Sequence, residues 1–380
     1  MDILAGLNEP QREAVCHTEG PLLILAGAGS GKTRVLTHRI AYLLQQGVQP
    51  WRILAVTFTN KAAQEMRERV LNLVGPAADS IWVSTFHTAC VRILRQEIQE
   101  LGFDKNFVIF DSQDQLTLVK NILKQMNLSD KNYHPKALLG AISTAKNEMV
   151  GPDEYQRKAA DHWANVVSDV YLRYQKNLRA NNGMDFDDLI MLTVRLFKEV
   201  PAVLEKYQER FRYILIDEYQ DTNHAQYMLV TLLASKYRNL CVVGDDDQSI
   251  YSFRSADIRN ILEFERDFPE TRIIKLEQNY RSTKNILHTA NEVIKNNRGR
   301  RSKQLWTQNF EGDKISTYYA ADEREEAWFV AEEISRLVRE EGRNYSDFAI
   351  LYRTNAQSLG FETEFLHRKI PYKVVGSLKF

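Results

Sequence analysis

The sequence predicts an α/β protein built on a parallel sheet with helices on both faces. Short, mainly apolar runs recur along it, each ends in a polar or glycine-rich turn, and helical patterns separate them. The runs are Leu22–Leu25 into AGAGSGKT, Ile53–Thr57 into FTNKAA, Tyr213–Ile216 into DEYQD, Leu240–Val243 into GDDDQ and Arg272–Leu276 into EQNYRS. An apolar run of that length suits a strand buried on both faces. In open α/β sheets ligands bind beyond the carboxyl ends of the strands, and all five turns fall at that edge.

Between the runs, residues 34–46 and 60–73 carry the helical period. From Gly102 to Asn182 the pattern changes to long helices, at 112–126, 135–147 and 153–181, with few strand signals. That stretch reads as a helical insertion within the sheet domain. Residues 281–310 then hold seven Lys or Arg against one acid, Glu292, whereas residues 321–341 hold eight acids against three Arg. The second segment is a helix with Trp328, Val330, Ile334 and Leu337 on its apolar face, and a strand is expected at Phe348–Tyr352. This region reads as the opening of a second α/β domain, expected to be incomplete where the sequence stops at SLKF.

Composition narrows the partners. Lys plus Arg and Asp plus Glu both total 50 in 380 residues, so a uniformly basic coat is excluded and any nucleic-acid site must be a local groove. With 44% hydrophobic residues the chain can bury more than one core, which excludes global disorder. Cys16, Cys90 and Cys241 are scattered, which supports neither a disulfide framework nor a zinc site and fits a reducing compartment. No apolar run approaches the ~20 residues of a membrane span, and no signal peptide is read at MDILAGLNEPQ. A cytoplasmic protein is expected.

The sharpest local signal is Ala26-Gly27-Ala28-Gly29-Ser30-Gly31-Lys32-Thr33, which follows a strand and opens a helix. Glycines let backbone amides curl around a β-phosphate, and the helix N-terminus adds its positive end. Lys32 would neutralise the β- and γ-oxygens, and the Thr33 hydroxyl would ligate Mg²⁺. Asp217 and Glu218, at the end of a buried strand, supply the partner: Asp217 for the metal, Glu218 to polarise an attacking water. Gln248 closes the VVGDDDQ turn, where its amide suits a γ-phosphate contact, and Asp245, Asp246 and Asp247 read as turn and cap residues. Arg281, past another strand end, suits a γ-phosphate contact worth most in the transition state.

Six segments in order, AGAGSGKT, TFTNKAAQEM, STFHTACVRIL, IDEYQDTN, VVGDDDQSIYSFR and LEQNYRST, resemble superfamily 1A DNA helicases of the Rep/PcrA/UvrD group. The PcrA-like branch is the nearest in wording, and the likeness spans residues 4–380. The resemblance implies a RecA-like P-loop NTPase domain at 1–101 and 183–280, a helical insertion at 102–182 and the start of a second RecA-like domain at 281–380. It implies ATP and Mg²⁺ as cofactors, single-stranded DNA and 3′-tailed duplex as partners, and 3′–5′ unwinding driven by hydrolysis in repair or replication. Gln11 matches the adenine-reading glutamine, and Arg34 and Tyr280 the pair that sandwiches the base. Phe58, Asn60, Thr85, His87, Tyr251, Phe253 and Arg254 match the single-strand path, where stacking aromatics tolerate any sequence. The segment Met184–Asp188 matches one that re-enters the first domain and reads as structural. Phe253-Arg254-Ser255 stands where the group commonly has Trp-Arg-Gly, so weaker stacking is expected. Leu359 stands where the group often has Arg. The group's later motifs, including a second γ-phosphate arginine, are not in this sequence, which therefore matches roughly the first half of such a helicase. A non-hydrolysing module that binds ATP and single-stranded DNA is the alternative.

Overall fold

A computed structural model describes residues 2–297, 300–301 and 303–375, except for the Arg254 side chain. The chain divides into two compact units, Met1–Gly312 and Asp313–Phe380.

The first unit is organised by a six-stranded parallel sheet. Its strands are β1 (Leu22–Ala26), β2 (Ile53–Thr57), β3 (Trp82–Thr85), β6 (Tyr213–Ile216), β7 (Leu240–Gly244) and β8 (Arg272–Leu276), in the spatial order β3-β2-β6-β7-β1-β8. Two-residue strands β4 (Val108–Ile109) and β5 (Gly183–Met184) pair in parallel with each other and close the neck of the helical insertion. The helices of this unit are α1 (Glu9–Cys16), α2 (Lys32–Gln45), α3 (Asn60–Val74), α4 (Phe86–Glu97), α5 (Ser112–Gln125), α6 (Pro135–Asn147), α7 (Pro152–Lys158), α8 (His162–Ala180), α9 (Phe186–Glu199), α10 (Pro201–Arg210), α11 (His224–Ala234), α12 (Arg259–Leu262), α13 (Phe264–Asp267) and α14 (Lys284–Ile294).

Why the central strand sequences are largely apolar is visible in the core. Leu23 and Leu25 of β1 join one cluster with α4, α9 and α11, while Leu22 and Ile24 join another with α2 and α3. Successive side chains therefore enter opposite cores, so both faces of the central strands are largely apolar. A third cluster, with Val119, Leu138, Tyr171 and Leu178 among its members, belongs to the insertion alone. A lysine is buried where the insertion meets the sheet domain. Lys146 pairs with Asp185 at 2.7 Å and Asp188 at 2.8 Å, and the Tyr174 hydroxyl donates to Asp185 at 2.9 Å.

Two expectations need correction. The single helix expected at 153–181 is broken into α7 and α8. Asp161 caps α8 by accepting from the Ala164 amide at 2.7 Å, and Ala159 before it is extended. A short carboxylate that competes for backbone donors starts a helix better than it continues one.

In the second unit, α15 (Glu323–Glu341) packs on α16 (Ser358–Arg368) around Ala331, Ile334, Phe365 and Ile370. The strand expected at Phe348–Tyr352 is not formed. That segment has no ladder partner among the described residues, and Leu351 is 95% exposed. An apolar run becomes a strand only where a neighbour accepts its hydrogen bonds. Among the described residues no helix is long and apolar enough to cross a membrane.

Candidate functional site

All six long strands run the same way, so their carboxyl ends form one edge. Residues 26–33 leave β1 there and turn into α2. Gly29 and Gly31 have φ of +67° and +92°, in the left-handed region. A Cβ on Gly29 would lie 2.6 Å from Asn279 Nδ2, and one on Gly31 would lie 2.9 Å from Gln11 Nε2. Both steric and torsional reasons therefore demand glycine.

Asn279 is buried and holds this loop to the exit of β8. Its amide donates to Ala28 O at 2.7 Å, and its Oδ1 accepts from the amides of Arg281 at 2.9 Å and Ser282 at 2.8 Å. The Tyr280 amide donates to Gly29 O at 2.9 Å. Arg34 and Arg281 are exposed beside the loop, and Tyr280 is half exposed. The Tyr280 hydroxyl accepts from Asn8 Nδ2 at 2.8 Å and donates to Gln278 at 2.9 Å.

Gln11 reaches the loop too, with both ends of its amide engaged. Oε1 accepts from the Asn8 amide at 3.2 Å in the capping box of α1, and Nε2 donates to Ser30 O at 2.9 Å. Each end keeps spare capacity for a further partner, a second N–H on Nε2 and a second lone pair on Oε1.

At the end of β6, Lys32 Nζ lies 2.8 Å from Glu218 Oε2. Glu218 has φ +51°, a left-handed conformation that a non-glycine residue keeps only when its surroundings hold it there. Asp217 is buried, and its Oδ1 accepts from the Glu218 amide at 3.0 Å. Burial, then the Glu218 charge, push its carboxyl up to about 6. Asp217 and the Thr33 hydroxyl are hard oxygen donors, the chemistry that suits Mg²⁺.

Gln220 joins this pair to the next strand end. It donates to Glu218 Oε2 at 2.9 Å, and its Oε1 accepts from the Asp245 amide at 3.0 Å. Gln248 in turn donates its side-chain amide to Asp245 Oδ2. The reading of Asp245, Asp246 and Asp247 as turn and cap residues is incomplete. Asp245 does cap the turn, accepting from the Asp247 amide at 3.1 Å, but the three carboxylates also surround Lys303 Nζ. Arg300 adds two bonds to Asp247 at 2.6 Å each.

The strand-path residues fall into two groups. Phe58, Asn60, Thr85 and His87 line one cleft of about 470 Å³ at the ends of β2 and β3. Phe58 meets Phe86 edge-on with ring centres 5.8 Å apart, and Thr85 caps α4. Burial lowers the His87 pKa, so His87 presents a neutral ring. The same cleft takes Phe186, half exposed, with its ring centre 6.1 Å from His87. Asp185 and Asp188 fit the structural reading of Met184–Asp188, and Phe186, which the sequence did not single out, lines the cleft. Its signal was an aromatic flanked by acids at a helix start. Tyr251 and Phe253 sit past β7 with ring centres 5.8 Å apart, and Phe253 is 75% exposed. The Arg254 side chain lies outside the described residues.

Residues 7–269 match the UvrD/REP helicase N-terminal domain and residues 274–380 the UvrD-like helicase C-terminal domain. The chain belongs to the UvrD/REP helicase family. As in that family, its parallel sheet with a P-loop is a RecA-like fold. It is 58% identical over 379 residues to the ATP-dependent DNA helicase PcrA of Bacillus subtilis, and 57% identical to PcrA of Staphylococcus aureus strain Mu50. All of this chain is covered in both comparisons, but only 51% and 52% of those relatives. The chain thus spans about half the length of these UvrD/REP family members.

Proposed function

We propose that this chain carries the ATP-binding and part of the strand-binding machinery of an ATP-driven DNA helicase that moves 3′ to 5′ on single-stranded DNA, in repair or replication in the cytoplasm. One observation carries the reading. A phosphate loop with its Asp-Glu partner and an aromatic cleft lie at the same strand edge, and hydrogen bonds through Gln220 and Asp245 run from Glu218 toward the turn that carries Tyr251 and Phe253.

The amides of Ala26 through Thr33 and the Lys32 ammonium take the phosphates; Thr33 and Asp217 would hold Mg²⁺, which would supply charge stabilisation to the phosphate oxygens. Gln11, Arg34 and Tyr280 surround the base. A triphosphate brings its own oxygens to Lys32, and Glu218 is then available to accept a proton from water. Gln248 and Arg281 meet the γ-phosphate, and Phe58, Asn60, Thr85, His87, Tyr251, Phe253 and Arg254 meet the strand. The proposed division is an ATP-binding domain at 1–101 and 183–280, an insertion at 102–182 and the start of a second RecA-like domain at 281–380. The presence of both Lys32 and Glu218 disfavours a non-hydrolysing module.

The decisive measurement is ATP turnover with and without single-stranded DNA, run beside unwinding of duplexes with a 3′ or a 5′ tail. Preference for the 3′ tail is expected. Unwinding from the 5′ tail alone would refute the polarity, and DNA-independent turnover would refute the coupling.

A further inference from the structure

We propose that the opposite edge of the sheet holds an anion site that takes a phosphoryl group. A cavity of about 500 Å³ opens where Trp51 precedes β2, Asp79 precedes β3 and Arg210 ends the helix before β6. These are amino ends of neighbouring strands, so the cavity is separate from the P-loop edge.

Three arginines from three helices converge on it: Arg67 of α3, Arg92 of α4 and Arg210 of α10. The Arg92 and Arg210 guanidinium carbons lie 5.3 and 4.6 Å from the centre of the Trp82 ring, and Arg67 donates to Val83 O on the edge strand at 2.8 Å. Among the described residues no carboxylate comes within 4.0 Å of any of the three. Their one acidic companion at the cavity, Asp79, is exposed, and Arg210 Nε is buried with no acceptor.

Several surface arginines elsewhere in this chain pair with acids, as Arg195, Arg238 and Arg336 do. Here the indole fixes two guanidiniums by cation–π contact, and the backbone carbonyl fixes the third. Fixed forks with free N–H donors and three positive charges against one negative are the arrangement that recognises a tetrahedral oxyanion. Phosphate is the anion proposed, either free or as a backbone group of DNA.

The test uses the 380-residue chain with Lys32→Ala, which removes the P-loop cation, and with Trp163, Trp306 and Trp328 replaced by Phe. Trp51 and Trp82 then report alone. Inorganic phosphate is titrated against chloride at constant ionic strength. A saturable fluorescence change is expected, weakened at least ~5-fold by Arg92→Gln and by Arg67→Gln at unchanged melting temperature. No saturable change, or a phosphate affinity that both variants leave unchanged from the parent, overturns the site and leaves the arginines as packing residues. A single-stranded oligonucleotide that displaces phosphate assigns the site to a DNA backbone group, and one that leaves phosphate bound assigns it to the free ion. Neither result bears on the ATP site.

Discussion

At the ends of β1, β6 and β7, the side chains of Lys32, Glu218, Gln220 and Asp245 are bound to one another or to backbone in a continuous chain. At the ends of β2 and β3, the rings of Phe58, His87 and Phe186 meet neighbours only edge to face around an open cleft. On the proposed function, the two halves of one sheet edge solve different problems. Stabilising charge that develops on a phosphate requires polar groups fixed before the reaction. Holding a strand of any sequence that must also slide favours π-faces and few directional bonds.

The largest break of the polar half is Glu218→Gln. It should retain ATP affinity and lose ~10²–10⁴-fold in DNA-stimulated turnover, the usual size of a lost general base. Turnover within threefold of the unaltered protein would remove Glu218 from that role. Next is Lys146→Met, which leaves Asp185 and Asp188 buried and facing each other without their shared cation. A loss of about 3–5 kcal/mol in denaturant melts is expected, because an uncompensated buried charge costs more than the pair contributed.

On the aromatic half, Phe186→Ala should weaken single-strand binding by about 1–3 kcal/mol, measured by fluorescence anisotropy, with nucleotide affinity unchanged. A matched loss of melting temperature at constant DNA affinity would make Phe186 a packing residue instead. The smallest effect concerns pH. Asp217 is protonated below about 6 and must be ionised to hold a cation. Mg²⁺ affinity should therefore be flat above pH 6 and fall by up to about tenfold per unit below it, where one proton competes with the metal. Calorimetric titrations at pH 5 and 7 would show this, and Asp217→Asn should abolish the dependence.

The nucleotide half was the more legible in sequence, because its determinants are local. A glycine-rich turn after an apolar run, or two acids closing one, can be read within ten residues. What escaped depended on distance. Lys303 reaches back 57 positions to Asp246, and nothing around it in the chain announces a partner. Strand β3 was hidden because Trp82–Thr85 is four residues long and half hydroxylated. Phe348–Tyr352 failed in the other direction: its pattern is that of a strand, but pairing depends on a neighbour that local sequence cannot supply. Gln11 was identified by its neighbours in sequence, yet its bonds to Asn8 and Ser30 appear only once α1 lies against the loop.

Gln220 carries a consequence of its own. A side-chain amide has one donor end and one acceptor end, and here the NH₂ faces a carboxylate while the oxygen faces a backbone N–H. Turning it over would set oxygen against the Glu218 carboxylate and NH₂ against the Asp245 N–H, so both bonds fail together. Intermediate orientations satisfy neither end. The link between Glu218 and the turn that leads to Tyr251 and Phe253 therefore has a single satisfied setting, whose bonds are made or lost rather than stretched. When Glu218 is displaced, the NH₂ keeps Asp221 Oδ2 at 3.3 Å and the oxygen keeps the Asp245 N–H, so the turn stays anchored while Glu218 moves.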